Sequence, residues 1–290
     1  MKAVNPQKQY TEVQKAFASH IKAIYNEGTD KKKSLNAIAA DMVEFIYNDV
    51  QAISLADLLL ERKPAFNGTV KWNKMPTHTA YWLDEDGEFV RSKDNKSSVT
   101  PAARLITASA AFSLLDLKRG DVASITDQAD SARDDIVNKI NAYIFDLYDA
   151  AAEATMSVTS IGSLLTTAMD EALSLLEDQG RTPVMWVGRA SRFSDIKNDT
   201  SLGDPLTSDL KSKGVQAITY GGANFLYAPG MSADTVYLIS ELKPGKIQDE
   251  FPLEQEQVKA DKKLEMSVDM SQTTRFGITN PYRYSVITIT

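Results

Sequence analysis

The sequence predicts an α+β protein, and three patterns along its 290 residues support this fold class. Residues 122–151 repeat apolar side chains at spacings of three and four without an intervening proline or glycine, which is typical of one long helix. Residues 264–290 alternate apolar and polar side chains and are rich in β-branched residues, which favours strands. Residues 156–242 mix the two patterns. We therefore expect two compact units with further projecting segments.

The first 62 residues predict helices. Val13, Phe17 and Ile21 share one helical face, and a second apolar run begins at Leu35. A third helix is expected over residues 49–61. Two interpretations remain open: a helical arm or small subdomain, or an ordinary helix bundle packed on the main core.

Residues 63–101 predict an extended hairpin, because Asp86 and Gly87 lie between apolar runs. The aromatic residues of this segment include Trp72, Tyr81, Trp82 and Phe89. Two strands alone cannot bury so many aromatic rings, since an isolated hairpin is only marginally stable in water. We expect the rings to pack on the parent domain or on another subunit.

Residues 102–117 are apolar and rich in small side chains, and the helix over 122–151 would be roughly 45 to 50 Å long at 1.5 Å per residue. Its acidic residues are interpreted as a solvated face. The strands expected in residues 243–290, with a bend at Asn280 and Pro281, need a partner for their apolar side chains. The long helix is the predicted partner.

The α/β unit is predicted to contain short helices and strands joined by polar turns. Gly221 and Gly222 are expected to form a hairpin turn between two strands. The helices are expected at residues 161–178, 191–198 and 206–213, and the strands at 184–188, 215–220, 224–228 and 235–239.

No motif for catalysis or cofactor binding is present in the sequence. Cysteine is absent and the two histidines, His20 and His78, lie far apart. Gly245 and Lys246 lack the earlier glycine of a phosphate-binding loop, because Ser240 stands there. The formal net charge of -7 disfavours a protein that coats duplex DNA. We expect no catalytic, cofactor-binding or metal-binding residues, and no membrane partner.

Three stretches carry a resemblance to a known family: residues 183–197 (PVMWVGRASRFSDIK), 214–239 (GVQAITYGGANFLYAPGMSADTVYLI) and 273–289 (TTRFGITNPYRYSVITI). With the order of elements, they make the sequence resemble the Hong Kong 97 type (HK97-like fold) major capsid proteins of tailed bacteriophages over essentially the whole chain. The resemblance implies an N-terminal helical arm, an extended E-loop hairpin, a P-domain with a long spine helix and β-strands, and an α/β A-domain. The corresponding residues are 1–62 for the arm, 63–101 for the E-loop, 102–155 for the P-domain with its spine helix, 156–242 for the A-domain, and 243–290 for the P-domain return strands.

The resemblance also implies a function. The chain would assemble as hexamers and pentamers into an icosahedral head that encloses double-stranded DNA by confinement, in the host cytoplasm. Scaffolding, portal and decoration proteins are the other partners it implies. An encapsulin-type compartment shell, which shares the fold, and a small-molecule enzyme built on residues 156–242 are the alternatives.

The implied interface lies on the E-loop, where aromatic side chains are candidate anchors because such residues dominate interface hot spots. The candidate interface residues are Trp72, Tyr81, Trp82, Phe89, Arg91, Lys93 and Lys96. The opposing interpretation packs the aromatic rings on the spine helix of their own subunit. Some relatives crosslink a loop lysine to an asparagine, for which Asn280 lies in the matching domain, but solvated lysines are the favoured interpretation.

Overall fold

The computed structural model describes residues 11–74, 97–119, 121–195, 219–228, 231–260 and 265–290. These residues form the mixture of helices and sheets that the sequence predicts. The helices are α1 (Glu12–Glu27), α2 (Lys31–Ile53), α3 (Ala56–Leu59), α4 (Leu114–Arg119), α5 (Val122–Ala151), α6 (Thr166–Asp178) and α7 (Ala190–Asp195).

The strands form two main sheets and a two-stranded ribbon. The four-stranded sheet has the order β1-β10-β11-β4, the six-stranded sheet the order β5-β12-β9-β6-β8-β7, and β2 pairs with β3. The strands are β1 (Leu60–Lys63), β2 (Trp72–Asn73), β3 (Ser98–Val99), β4 (Ala103–Ser113), β5 (Ser157–Ser160), β6 (Pro183–Gly188), β7 (Thr219–Tyr220), β8 (Ala223–Tyr227), β9 (Thr235–Ser240), β10 (Gly245–Ala260), β11 (Glu265–Ile278) and β12 (Tyr284–Ile289).

Helix α5 confirms the prediction of one long helix over residues 122–151. It begins after Asp121, whose carboxylate accepts hydrogen bonds from the backbone N–H groups of Ala123 (3.0 Å) and Ser124 (3.4 Å). Ile125, Ile136 and Ile140 of the predicted apolar face are buried, and a second stripe that includes Phe145 and Tyr148 is buried as well. The helix needs both stripes because it packs against β4, β11 and α2 and also against the six-stranded sheet.

Helices α1 and α2 pack on α5 and share its core, to which they contribute Ile21, Ile38 and Met42. Of the two interpretations of this region, packing on the main core is the one observed. The predicted third helix over residues 49–61 is wrong. Helix α2 continues to Ile53, and the backbone N–H of Leu55 then donates to Oδ1 of Asn141 (3.1 Å). Strand β1 follows the single turn of α3 and pairs in parallel with β10.

The central strands of the six-stranded sheet are buried on both faces. One face, with Trp186 and Leu238, packs against α6, and the other, with Val187 and Tyr237, packs against the C-terminal part of α5. This double burial explains why β6 and β9 contain continuous apolar runs rather than alternating patterns.

Strand β12 belongs to this sheet, where it pairs in parallel with β5 and antiparallel with β9. The division made from the sequence groups β12 with the return strands β10 and β11. The predicted packing of the return strands on α5 is observed for β11. The reason for the difference is that β12 buries both faces. Tyr284 contacts Tyr148 of α5, while the hydroxyl of Ser285 donates to the carbonyl of Ala172 in α6 (3.1 Å).

Other predictions for the α/β unit are confirmed in part. Gly221 and Gly222 have φ angles of +57° and +80° in the turn between β7 and β8, which glycine adopts without strain. Helix α6 begins at Thr166, later than expected, because β5 and its following loop occupy the preceding residues. The helix expected at residues 206–213 lies outside the described residues.

Candidate subunit interface

The predicted interface residues divide into one that the structure describes and six that it does not. Trp72 is described. Tyr81, Trp82, Phe89, Arg91, Lys93 and Lys96 lie outside the described residues. The two described ends of this segment meet in the β2–β3 ribbon, where Trp72 pairs with Val99, and the backbone N–H of Lys74 donates to the carbonyl of Ser97 (2.8 Å). Both ends of the segment therefore lie side by side.

Trp72 is buried within its own chain, with 6% of its surface exposed. Its ring lies over the backbone of Gly277 in β11, where a Cβ atom would come within 3.0 Å of Cζ3 of the ring. A larger residue at position 277 would require the indole to shift by a few tenths of an ångström. The ring thus packs on β11 of its own chain, and its role in a subunit interface stays a prediction.

Residues 64–66 are fixed to the four-stranded sheet by three hydrogen bonds. The backbone N–H of Phe66 donates to the carbonyl of Asp249 (3.0 Å), and its own carbonyl accepts from Nη1 of Arg275 (2.9 Å). The carbonyl of Pro64 accepts from Nε2 of Gln248 (2.6 Å). Beside these residues the side chain of Phe66, which is 52% exposed, lines an open groove of about 490 Å³.

The carboxylate of Asp249 joins four elements at the same place. Its Oδ2 accepts from Nη1 of Arg62 (2.7 Å) and from the hydroxyl of Tyr47 (3.3 Å). Its Oδ1 accepts from Nε2 of Gln272 (3.0 Å) and from the hydroxyl of Thr274 (2.9 Å). Burial, followed by the negative charge of Asp249, raises the pKa of Tyr47. This network holds α2, β1 and β11 on β10 and so sets the direction in which residue 64 leaves the sheet.

Asn280 marks the predicted bend between β11 and β12. Its Oδ1 accepts a hydrogen bond from the backbone N–H of Tyr282 (3.0 Å) and caps a 3₁₀ turn, Pro281–Arg283. Only 9% of Asn280 is exposed. The residue therefore serves as a cap in this structure, and a crosslink would require it to leave this position.

A charged cluster that the sequence analysis did not single out lies at one end of the six-stranded sheet. It contains Arg181, Glu241 and Arg283, which flank the ends of β6, β9 and β12. No sequence signal joins these residues, because the strands that bring them together are distant in the chain.

Within the described residues, no group of three or more histidine, aspartate or glutamate side chains has the spacing needed to hold a metal ion. Among the described helices, none combines the length and apolar character that crossing a bilayer requires.

No known family matches the sequence, and no curated protein matches it either. Solved structures do match. A structure from Mycobacterium phage Adephagia superimposes with a TM-score of 0.60 at 12% identity, over 82% of this chain and 90% of that chain. The asymmetric unit of the bacteriophage PhiM1 mature capsid matches with a TM-score of 0.55 at 10% identity, over 82% of this chain and 87% of its own. This chain has the Hong Kong 97 type capsid fold.

A third structure with the same fold is a virus-like particle from Pyrococcus furiosus. It matches with a TM-score of 0.51 at 12% identity, over 86% of this chain and 97% of that chain. The Hong Kong 97 type fold implied by the sequence resemblance is confirmed by these matches. At such low identity the matches establish the fold alone.

Proposed function

We propose that this chain is a major capsid protein that self-assembles as hexamers and pentamers into an icosahedral phage head around double-stranded DNA. The observation that carries the proposal is the agreement with the PhiM1 mature capsid over most of both chains. A shell subunit acts through its contacts with other copies rather than through an active site. We therefore propose a structural role and no catalytic activity.

The roles that we propose for the segments of this chain are those that the Hong Kong 97 type resemblance implies. Residues 63–101 serve as an E-loop that reaches another subunit, and Trp72 with the other predicted residues contributes to that contact. The hydrogen bonds of Phe66 and the Asp249 network support this role, because a reaching element needs a fixed base. Residues 156–242 serve as the A-domain around the five-fold and six-fold axes.

The proposed shell encloses DNA by confinement, since a net charge of -7 provides little attraction for phosphates. Portal, scaffolding and decoration proteins are the proposed additional partners. The proposed location is the virion capsid, with assembly in the host cytoplasm.

The test is to purify the full chain and examine it by size-exclusion chromatography and negative-stain microscopy. Hollow particles with icosahedral symmetry are expected. A monodisperse monomer at all concentrations would contradict the proposal.

A compartment shell of the encapsulin type is the second candidate, and the match to the Pyrococcus furiosus virus-like particle favours it. Particle contents separate the two functions. Particles isolated from phage-producing cells should contain nuclease-protected DNA if the chain forms a phage head. Co-purification of an enclosed enzyme without DNA would assign the compartment function instead.

A further inference from the structure

Two arginines stand at the end of the six-stranded sheet where β6 and β12 begin and β9 ends. Arg181 lies two residues before β6, and Arg283 lies immediately before β12. Strand β9 runs between these strands and pairs antiparallel with both. The backbone N–H of Glu241 donates to the carbonyl of Thr182 (3.0 Å), which continues the pairing of β9 with β6 to this end. The two arginines therefore flank the end of β9 from opposite sides.

The arrangement places like charges close together. Burial lowers the pKa of Arg283 from its ordinary value, and the positive charge of Arg181 lowers it further. Glu241 and Glu61 act in the opposite direction without reversing the shift. Within the described part of the chain, no group accepts a hydrogen bond from the buried Nε of Arg181. Native structures rarely leave a buried donor unsatisfied, which marks this guanidinium as imperfectly accommodated within its own subunit.

Exposed apolar side chains adjoin the arginines. Val184 is 41% exposed at the start of β6, Leu242 is 38% exposed just after β9, and Tyr282 is 37% exposed next to Arg283. We call these three residues and the two arginines the strand-end surface. Arginine and aromatic residues beside aliphatic ones are the composition that protein interfaces favour.

We propose that the strand-end surface binds a carboxylate-bearing surface of a second copy of this chain. Charge complementarity identifies the occupant, because the chain carries 39 acidic and 32 basic residues and a second copy is therefore acidic overall. Helix α6 illustrates this, since its exposed Asp170, Glu171, Glu177 and Asp178 are accompanied by no lysine or arginine in the helix. DNA phosphates would pair with the arginines but would leave the exposed apolar side chains without a partner.

The proposed contact joins two different patches of neighbouring copies. Such heterologous contacts close into rings when the rotation between copies permits. The inference thus rests on the proposed shell function and deepens it, because it names a contact from which hexamers and pentamers are built.

The test is a charge series at Arg181 in the full chain: Arg181→Lys, Arg181→Gln and Arg181→Glu. Removing one of two like charges relieves repulsion within the subunit, so Gln and Glu should leave the unfolding midpoint of the unassembled subunit unchanged or higher. Assembly should respond in the opposite direction. The critical concentration for particle formation should rise at least about tenfold for Gln and further for Glu, while Lys stays near wild type. A structural role for Arg181 would instead lower subunit stability and assembly together.

The matched control is the same series at Arg119, an exposed arginine in the last turn of α4. It changes the net charge equally and should leave assembly unchanged. Equal loss of assembly in both series would assign the effect to net charge and overturn the proposal, as would an Arg181→Glu variant that assembles like wild type. Weaker binding of the Arg181 variants to a 30-base-pair duplex with unchanged assembly would assign the surface to nucleic acid. If the wild-type chain forms particles and the Arg181 variants assemble equally well, this inference is refuted but the proposed function is not. If the wild-type chain stays monomeric, both are refuted.

Discussion

Both main sheets pack against α5, yet they bury different kinds of side chain. The four-stranded sheet buries the charged and amide groups of Asp249, Gln272 and Arg275. In the six-stranded sheet, β9 is buried at every position, and the buried polar side chains of its described strands are hydroxyls such as Thr235 and Ser285. Apolar packing on two faces stabilises a sheet but does not fix the direction in which a neighbouring segment leaves it. A buried hydrogen-bond network does fix that direction, because its donors and acceptors are all satisfied in one arrangement only. The difference suits a rigid unit beside a sheet that fixes the course of residues 64–66.

The largest effect is expected from Trp186→Ala in the six-stranded sheet. Trp186 is fully buried, and its Nε1 donates to the carbonyl of Tyr220 (3.0 Å). The cavity and the lost hydrogen bond should lower the free energy of unfolding by about 3–5 kcal/mol, measured by urea denaturation of the unassembled subunit. Val184→Ala in the same strand, at a side chain that is 41% exposed, is the control and should change it by less than about 1 kcal/mol. Equal losses in the two variants would contradict the double burial of this sheet.

A smaller effect is expected from Asp249→Asn in the four-stranded sheet. The substitution preserves shape but leaves Arg62 without one of its two carboxylate partners, and Arg62 is only 27% exposed. We expect a loss of about 2 kcal/mol, reduced from the value for a fully buried pair because water reaches Arg62.

The double variant Asp249→Asn/Arg62→Gln sharpens this prediction. If the two groups act as one network, the double variant should lose less stability than the two single variants together. Strict additivity would show that Asp249 and Arg62 are independent. Glu61→Gln, at an exposed side chain of β1, should change stability by less than about 0.5 kcal/mol.

The smallest effect is expected where the six-stranded sheet meets α5. The hydroxyl of Tyr237 donates to Oδ1 of Asp149 (2.5 Å), and burial is the first cause that raises the pKa of Tyr237 and of Tyr284. Tyr237→Phe should lower the free energy of unfolding by about 1 kcal/mol at pH 8.

The same tyrosines predict the pH dependence. A raised pKa means that the folded protein keeps protons which the unfolded chain loses above about pH 10. The contribution of these tyrosines to stability should therefore be constant below that pH and fall as the pH rises further. Thermal denaturation between pH 8 and 11 measures this fall. Tyr237→Phe should make it shallower, and an unchanged slope would show that Tyr237 does not contribute.

The sequence predicts those parts of the fold that depend on local patterns. Helix α5 was predicted with its correct ends, because an unbroken apolar spacing follows the capping residue Asp121. The turn at Gly221 and Gly222 was predicted for a similar reason. Strand β4 was not, since its small residues carry little alternation and it forms only by pairing with β11.

The candidate interface was less predictable than the fold. The aromatic side chains in residues 63–101 are recognised from composition, but Trp72 packs against Gly277, which lies far along the chain. Arg181 and Arg283 meet only because β6 and β12 both pair with β9. Local sequence patterns do not reveal which distant strands pair, so the residues that such pairing brings together could not be predicted.

The position of β12 also has a consequence during protein synthesis. This strand fills the gap between β5 and β9, so the six-stranded sheet stays divided until Tyr284–Ile289 have left the ribosome. An incomplete chain therefore lacks a finished α/β unit. Completion of this sheet therefore waits for a strand that follows all of its other described strands along the chain.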